Sequence, residues 1–87
     1  MADKEVVLKR DREPDVVGKD AALGYLEAEK TRTMKVLSDL QLFGPLARML
    51  SLRFAEKAIR ADKDYDLGAR SITPSDAMVY LKEGQLP

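Results

Sequence analysis

Acidic residues at alternate positions mark one segment of this chain as a candidate cation site. The segment contains Asp62, Asp64 and Asp66, and Asp76 follows a short distance further along the chain. Side chains that alternate in this way can converge on a hard cation, and calcium takes roughly six to eight oxygen ligands. The spacing therefore makes a calcium site between two helices one hypothesis for the chain.

The order of residues in this segment resembles an EF-hand loop only in part. Leu67 stands where the sharp turn of such a loop needs glycine, and the twelfth residue counted from Asp62 is Thr73 instead of glutamate. To use Asp76 as the last ligand, the loop would have to contain additional residues that include Arg70. We therefore favour an acidic, solvated turn and keep an EF-hand-like calcium-responsive module as the alternative.

A strip of basic residues on the second helix is the other candidate for chemistry. Arg53, Lys57 and Arg60 are spaced by three and four, which puts them on one helical face, and Arg48 and Lys63 lie nearby. Such a face can bind phosphates, which makes a small nucleic-acid-associated regulator a further alternative. However, 15 basic residues balance 15 acidic ones, and a net charge of zero favours a solvated or salt-bridged face.

The composition excludes several classes of site. The chain has no Cys and no His, so it has no disulfides, no thiolate ligands and no imidazole base. It also has no glycine-rich phosphate loop and no activated-serine motif. We expect a protein that is not an enzyme and that uses no cofactor. No apolar run is long enough for a membrane span or a secretory signal, so the cytoplasm, or a particle assembled there, is the expected compartment.

The 87 residues fit one small domain. Residues 1–19 read as an N-terminal arm, extended or partly disordered, in which Pro14 blocks a helix. Residues 20–82 are expected to form a single helical domain, and residues 83–87 a tail. The predicted fold class is all-α.

Helical signals define three elements inside the domain. Apolar residues at steps of three and four predict a first helix over about 20–42, and Asp20 suits its N-cap. Phe43-Gly44-Pro45 predicts a tight corner into a second, antiparallel helix over about 45–61. Thr73 caps a short last helix over about 74–82.

One acidic residue conflicts with the pattern of the first helix. Glu29 lies within the apolar stripe, close in direction to Val36. We interpret it as an edge position facing solvent, with a cation contributed from elsewhere in the fold as the alternative.

The second helix carries more apolar residues than one neighbouring helix can cover. Its apolar side chains form two rows on nearly opposite sides, and a helix of this kind is usually buried on more than one side. One row can pack on the first helix, and the other needs the C-terminal segment, the arm or another molecule. Because so short a chain offers little other protein, we expect a protein partner, either a second copy or a larger complex. The predicted partner-binding residues, including three from the arm, are Leu46, Met49, Leu50, Leu52, Phe54, Ala55, Ile59, Val6, Val7 and Leu8.

Overall fold

A computed structural model describes residues 4–10, 13–40, 43–68 and 71–84. Along the chain, a pair of strands precedes two long helices, a very short strand and a last helix. Most of the described residues are helical, which confirms the helical hairpin in outline. The strands correct the all-α prediction, since they form a small three-stranded sheet.

The segment predicted as an arm is a β-hairpin. Strand β1 (Glu5–Arg10) pairs antiparallel with strand β2 (Glu13–Gly18). β-branched residues suit a pleated, half-buried surface, and Val6, Val7 and Val17 supply them here. Because side chains alternate between the two faces of a strand, Val6 and Leu8 point together into the core.

Pro14 is compatible with this hairpin because of its place in the strand register. The Lys19 N–H donates to the Lys4 carbonyl at 2.6 Å, and hydrogen-bonded pairs alternate along an antiparallel ladder. Pro14, which lies opposite Lys9, therefore falls at a pair that exchanges no hydrogen bonds. Its missing N–H faces the outer edge of the sheet, where proline is tolerated.

The third strand comes from the acidic turn. Strand β3 (Tyr65–Asp66) lies parallel to β1, with Leu8 opposite Tyr65, so β1 is the central strand. The Leu67 N–H donates to the Lys9 carbonyl at 3.1 Å and extends this pairing. The turn is thereby attached to the N-terminal hairpin.

The two long helices pack against each other and begin and end close to the predicted positions. Helix α1 covers Lys19–Leu40, and helix α2 covers Phe43–Arg60. The predicted corner at Phe43-Gly44-Pro45 is wrong, because these residues form the first turn of α2. Proline is accommodated there, since the first amides of a helix have no partner within the helix.

Helix α3 (Pro74–Glu83) packs on α2 and has defined caps at both ends. The Thr73 hydroxyl accepts from the Asp76 N–H at 3.1 Å, and the Asp76 carboxylate accepts from the Thr73 N–H at 3.3 Å. This reciprocal pair is a capping box. At the other end, Gly84 adopts φ of 68°, a left-handed conformation that ends the helix.

Buried side chains form two separate cores. The sheet core joins the hairpin to both long helices and consists of Val6, Leu8, Ala22, Leu26, Leu52, Ala55 and Ile59. The distal core lies between the far parts of the three helices and consists of Leu37, Leu46 and Ala77.

Candidate functional site

The acidic turn joins the sheet to the helices. Asp62 has φ of 62°, and its carboxylate accepts from the Lys19 ammonium at 3.0 Å, with the Lys4 ammonium 3.6 Å away. The hydrogen bond and charge of Lys19, together with Lys4, hold the pKa of Asp62 below its ordinary value despite an opposing desolvation effect. Asp64 accepts from the Val7 N–H at 2.8 Å, which satisfies a backbone donor of the central strand.

The other two acidic residues of the calcium hypothesis also have local partners. Asp66 accepts from the Gly68 N–H at 2.9 Å, and Asp76 belongs to the capping box of α3. The four carboxylates therefore accept from donors in different parts of the fold. Among the described residues, no three acidic, histidine or cysteine side chains lie close enough to hold a metal ion.

The predicted basic strip is divided among different partners. Arg48 lies 3.3 Å from Glu29, which also pairs with Arg32. The cation considered as an alternative for Glu29 is therefore present, and the interpretation as a solvent-facing edge residue is wrong. Arg60 lies 3.4 Å from a Glu56 oxygen. The sequence-based expectation of a salt-bridged face is thus met for Arg48 and Arg60.

A lysine at the contact between α1 and α2 forms the centre of an ion-pair network. Lys30 pairs with Glu56 across the two helices and with Glu27 at 2.6 Å within α1. Burial opposes the charged ammonium of Lys30, but hydrogen bonds and charge from both glutamates outweigh it and raise its pKa. The hydrogen bond from Lys30 lowers the pKa of Glu56 against the effect of burial, and Arg60 adds to the lowering.

The residues predicted to contact a partner are mostly inside the chain itself. Val7 and Phe54 are half-buried, whereas the other eight of the set are buried. The expectation that so short a chain has too little other protein to cover the second side of α2 is wrong, because Val6 and Leu8, from the segment predicted as the arm, share the sheet core with this helix. Whether these residues also meet a partner stays a prediction.

The apolar side chains that do reach the surface form a different set. Five large ones are at least two-fifths exposed among the described residues: Met34, Val36, Phe43, Met78 and Leu81. All five belong to the helices that build the distal core, and none comes from the sheet. The sequence did not lead us to expect these five side chains at the surface. The position of Met34 outside the predicted apolar stripe of the first helix was the one indication that its side chain is exposed.

A groove crosses the helices beside this set. It has a volume of about 520 Å³ and takes its lining from all three helices. Met34 of α1 provides exposed apolar surface, Met49 of α2 contributes to the lining although it is almost fully buried, and Tyr80 comes from α3. The guanidinium of Arg53 lies 5.4 Å from the centroid of the Tyr80 ring, a cation–π distance.

A second depression lies between α2 and the acidic turn. Its volume is about 490 Å³, and Phe54, Ala58 and Tyr65 contribute to its lining. Lys57, the remaining member of the basic strip, lies on this depression and not on the groove that contains Arg53. The strip is therefore divided between two concave surfaces.

Comparison with known proteins gives no match. No family model, no curated protein and no solved structure matches this chain. None of the described helices is long and apolar enough to cross a membrane.

Proposed function

We propose that this chain is a non-catalytic protein-interaction module, and that it contacts its partner through Met78 and Leu81, two exposed apolar side chains on neighbouring turns of α3. The supporting observation is that these two large apolar side chains are exposed beside Ala77, which is buried in the distal core. Exposed apolar surface that gathers in one region is typical of a protein-binding site, whereas single scattered residues need no explanation.

The size of the two cores supports the same assignment. The sheet core is closed by the chain itself, but the distal core contains only three buried residues. Met78 and Leu81 flank buried Ala77 on α3, and they are 57% and 41% exposed. A partner that covers them would extend the distal core and add apolar burial of about 25 cal/mol per Å².

The test replaces Met78 and Leu81 together with Gln, which removes apolar surface and adds no charge. Photo-crosslinking from position 79 in the source cells identifies the partner, which is then purified and mixed with this chain. Sedimentation should show a complex, or a homo-oligomer of the chain, that the double variant loses.

The matched control is Glu83→Gln, because Glu83 is exposed on α3 and lies on the side of the helix away from both Met78 and Leu81. It should leave the complex intact. A wild-type chain that stays monomeric at high concentration and forms no complex with any crosslinked protein would contradict the proposal.

A further inference from the structure

The groove between the three helices combines apolar side chains with the guanidinium of Arg53. Met34 and Met49 line it, and methionine surfaces adapt to partner side chains of varied shape. The lining residues of α1 extend from Glu27 to Lys35, roughly 12 Å at 1.5 Å per residue. This length suits about two turns of a bound helix.

Arg53 is held in place by its aromatic neighbour. Its guanidinium stacks near the Tyr80 ring, and stacking of this kind leaves the N–H edge available for a carboxylate. Arg53 is exposed, and among the described residues no carboxylate lies within ion-pair distance of it. The groove therefore contains a fork of donors beside the Tyr80 ring that has no acidic partner among the side chains that the structure describes.

The other charged residues around the groove have partners within the chain. Lys30 is bound to Glu27 and Glu56, and Glu56 also meets Arg60. Lys35, the other lysine of the lining, also takes part in an interaction. Arg53 has no ion pair among the described residues, so its guanidinium is the cation of the groove that a partner carboxylate can reach.

We propose that this groove binds an amphipathic helical segment of a partner protein, with one carboxylate on Arg53 and apolar side chains over Met34 and Met49. The inference rests on the proposed protein-binding function and adds the site and the chemistry of the partner. Charge complementarity selects the acidic residue, because a charge-assisted fork to a carboxylate is stronger than a neutral hydrogen bond. Exposed Met34 and the acid-paired Lys30 favour a protein helix over a polyphosphate chain, whose binding depends on many available cations.

The test uses two helical peptides built from Leu, Ala and either Glu or Gln, which are identical except for that exchange. Amide chemical shifts of the full-length chain are followed by NMR during titration with each peptide. The Glu peptide should shift the amides of Met49, Arg53 and Tyr80, and it should bind at least about tenfold more tightly than its Gln twin, which corresponds to one charge-assisted contact.

Two variants remove the same unit of charge from the same helix. Arg53→Gln should weaken binding of the Glu peptide about tenfold and leave the affinity for the Gln peptide unchanged. Lys57→Gln is the matched control, because Lys57 is exposed one turn away on the other depression, and it should change the affinity less than about twofold. Arg53→Lys keeps the charge but not the fork, and it should give an intermediate affinity. The melting temperature of each variant shows whether α3 remains docked.

The proposal is overturned if neither peptide binds, if both bind equally well, or if the shifts lie outside the groove. It is also overturned if the same amides shift on dilution of the chain alone, since the occupant is then a second copy. Failure here leaves the proposed contact through Met78 and Leu81 testable by itself, because these two residues do not line this groove. Loss of the cellular complex in the Met78/Leu81 variant but not in Arg53→Gln would show that only this inference has failed.

Discussion

The sheet core and the distal core differ in how completely the chain covers them. At the sheet core, Leu26, Leu52 and Ile59 are fully buried beneath the hairpin and the two long helices. At the distal core, Leu37 remains 6% exposed, and its neighbours on α1 include Val36 at 48%. The same helix α2 runs through both cores, so the difference arises from what packs on it.

This contrast separates the part of the molecule that supplies stability from the part that offers a surface. On one half of α2, strand β3 packs against the helix, and Val6 and Leu8 of the hairpin complete the sheet core. On the other half, only the short helix α3 packs on α2 in addition to α1. A small domain has little apolar surface to bury, so covering one end leaves less for the other. The distal end is consequently where a partner gains most by binding.

The largest expected effect is at the sheet core. Leu52→Ala should lower the free energy of unfolding by about 3 to 5 kcal/mol, because Leu52 is fully buried and the rigid sheet cannot collapse into the cavity. Urea denaturation followed by circular dichroism measures the change. A loss below about 1 kcal/mol would mean that the hairpin does not cover α2 as described.

The corresponding change at the distal core should cost less. Leu37→Ala is expected to lower the free energy of unfolding by about 2 kcal/mol, since Leu37 is at the edge of a three-residue core that can relax. The same urea titration compares the two variants directly. An equal loss in both would remove the distinction between the cores.

The ion pair between α1 and α2 should give a smaller, pH-dependent effect. Glu56→Gln removes the acceptor of the partly buried Lys30 and should cost about 1 to 2 kcal/mol at neutral pH. Because the pKa of Glu56 is lowered in the fold, the wild-type advantage is present above the unfolded glutamate pKa and disappears as pH falls through the folded value. The raised pKa of Lys30 means a second loss as pH rises through its folded value.

Unfolding curves of wild type and Glu56→Gln at several pH values test this dependence. The two proteins should converge at low pH, where Glu56 is protonated in both states. A difference that stays constant down to acidic pH would exclude the ion pair as its cause.

The N-terminal cap of α3 should stabilise this helix against local opening by about 1 kcal/mol. Thr73→Ala removes the hydroxyl that accepts from Asp76 N–H, so α3 should open more often. Hydrogen exchange of α3 amides measures this opening, and Ser75→Ala, in the same turn, serves as the control. Equal protection in the two variants would show that the capping box does not hold α3.

Calcium should have no effect on the stability of the protein. The carboxylates of Asp62, Asp64 and Asp66 already accept from donors of the chain, and a ligand stabilises a fold only if it binds the folded state. The melting temperature should be the same with excess calcium and with a chelator. A clear rise with calcium would restore the EF-hand-like alternative.

Local patterns were sufficient to predict the helices. Thr73, Pro74 and Asp76 specify the start of α3 through hydrogen bonds within a few residues, and the spacing of apolar residues specified α1 and most of α2. The position of the corner before α2 was wrong by a few residues, since proline is equally compatible with a corner and with a first helical turn.

Local sequence patterns could not predict which distant segments of the chain pair with each other. The central strand meets Tyr65 and Asp64 from a turn that lies far along the chain, and nothing around Val7 specifies that contact. For the candidate site, the sequence showed which arginines share a helical face, but not that Arg53 would stack on Tyr80 while Arg48 meets Glu29. Such pairings depend on the relative placement of helices.

By itself, the sequence determined the absence of His and Cys chemistry, the balance of charge and the existence of three helices, because composition and periodicity act locally. Only the tertiary structure decided which apolar side chains are covered. The hairpin closed the side of α2 that the sequence left open, and α3 is too short to close the distal end. Burial depends on contacts between segments distant in sequence, so the exposed face became visible only in the folded chain.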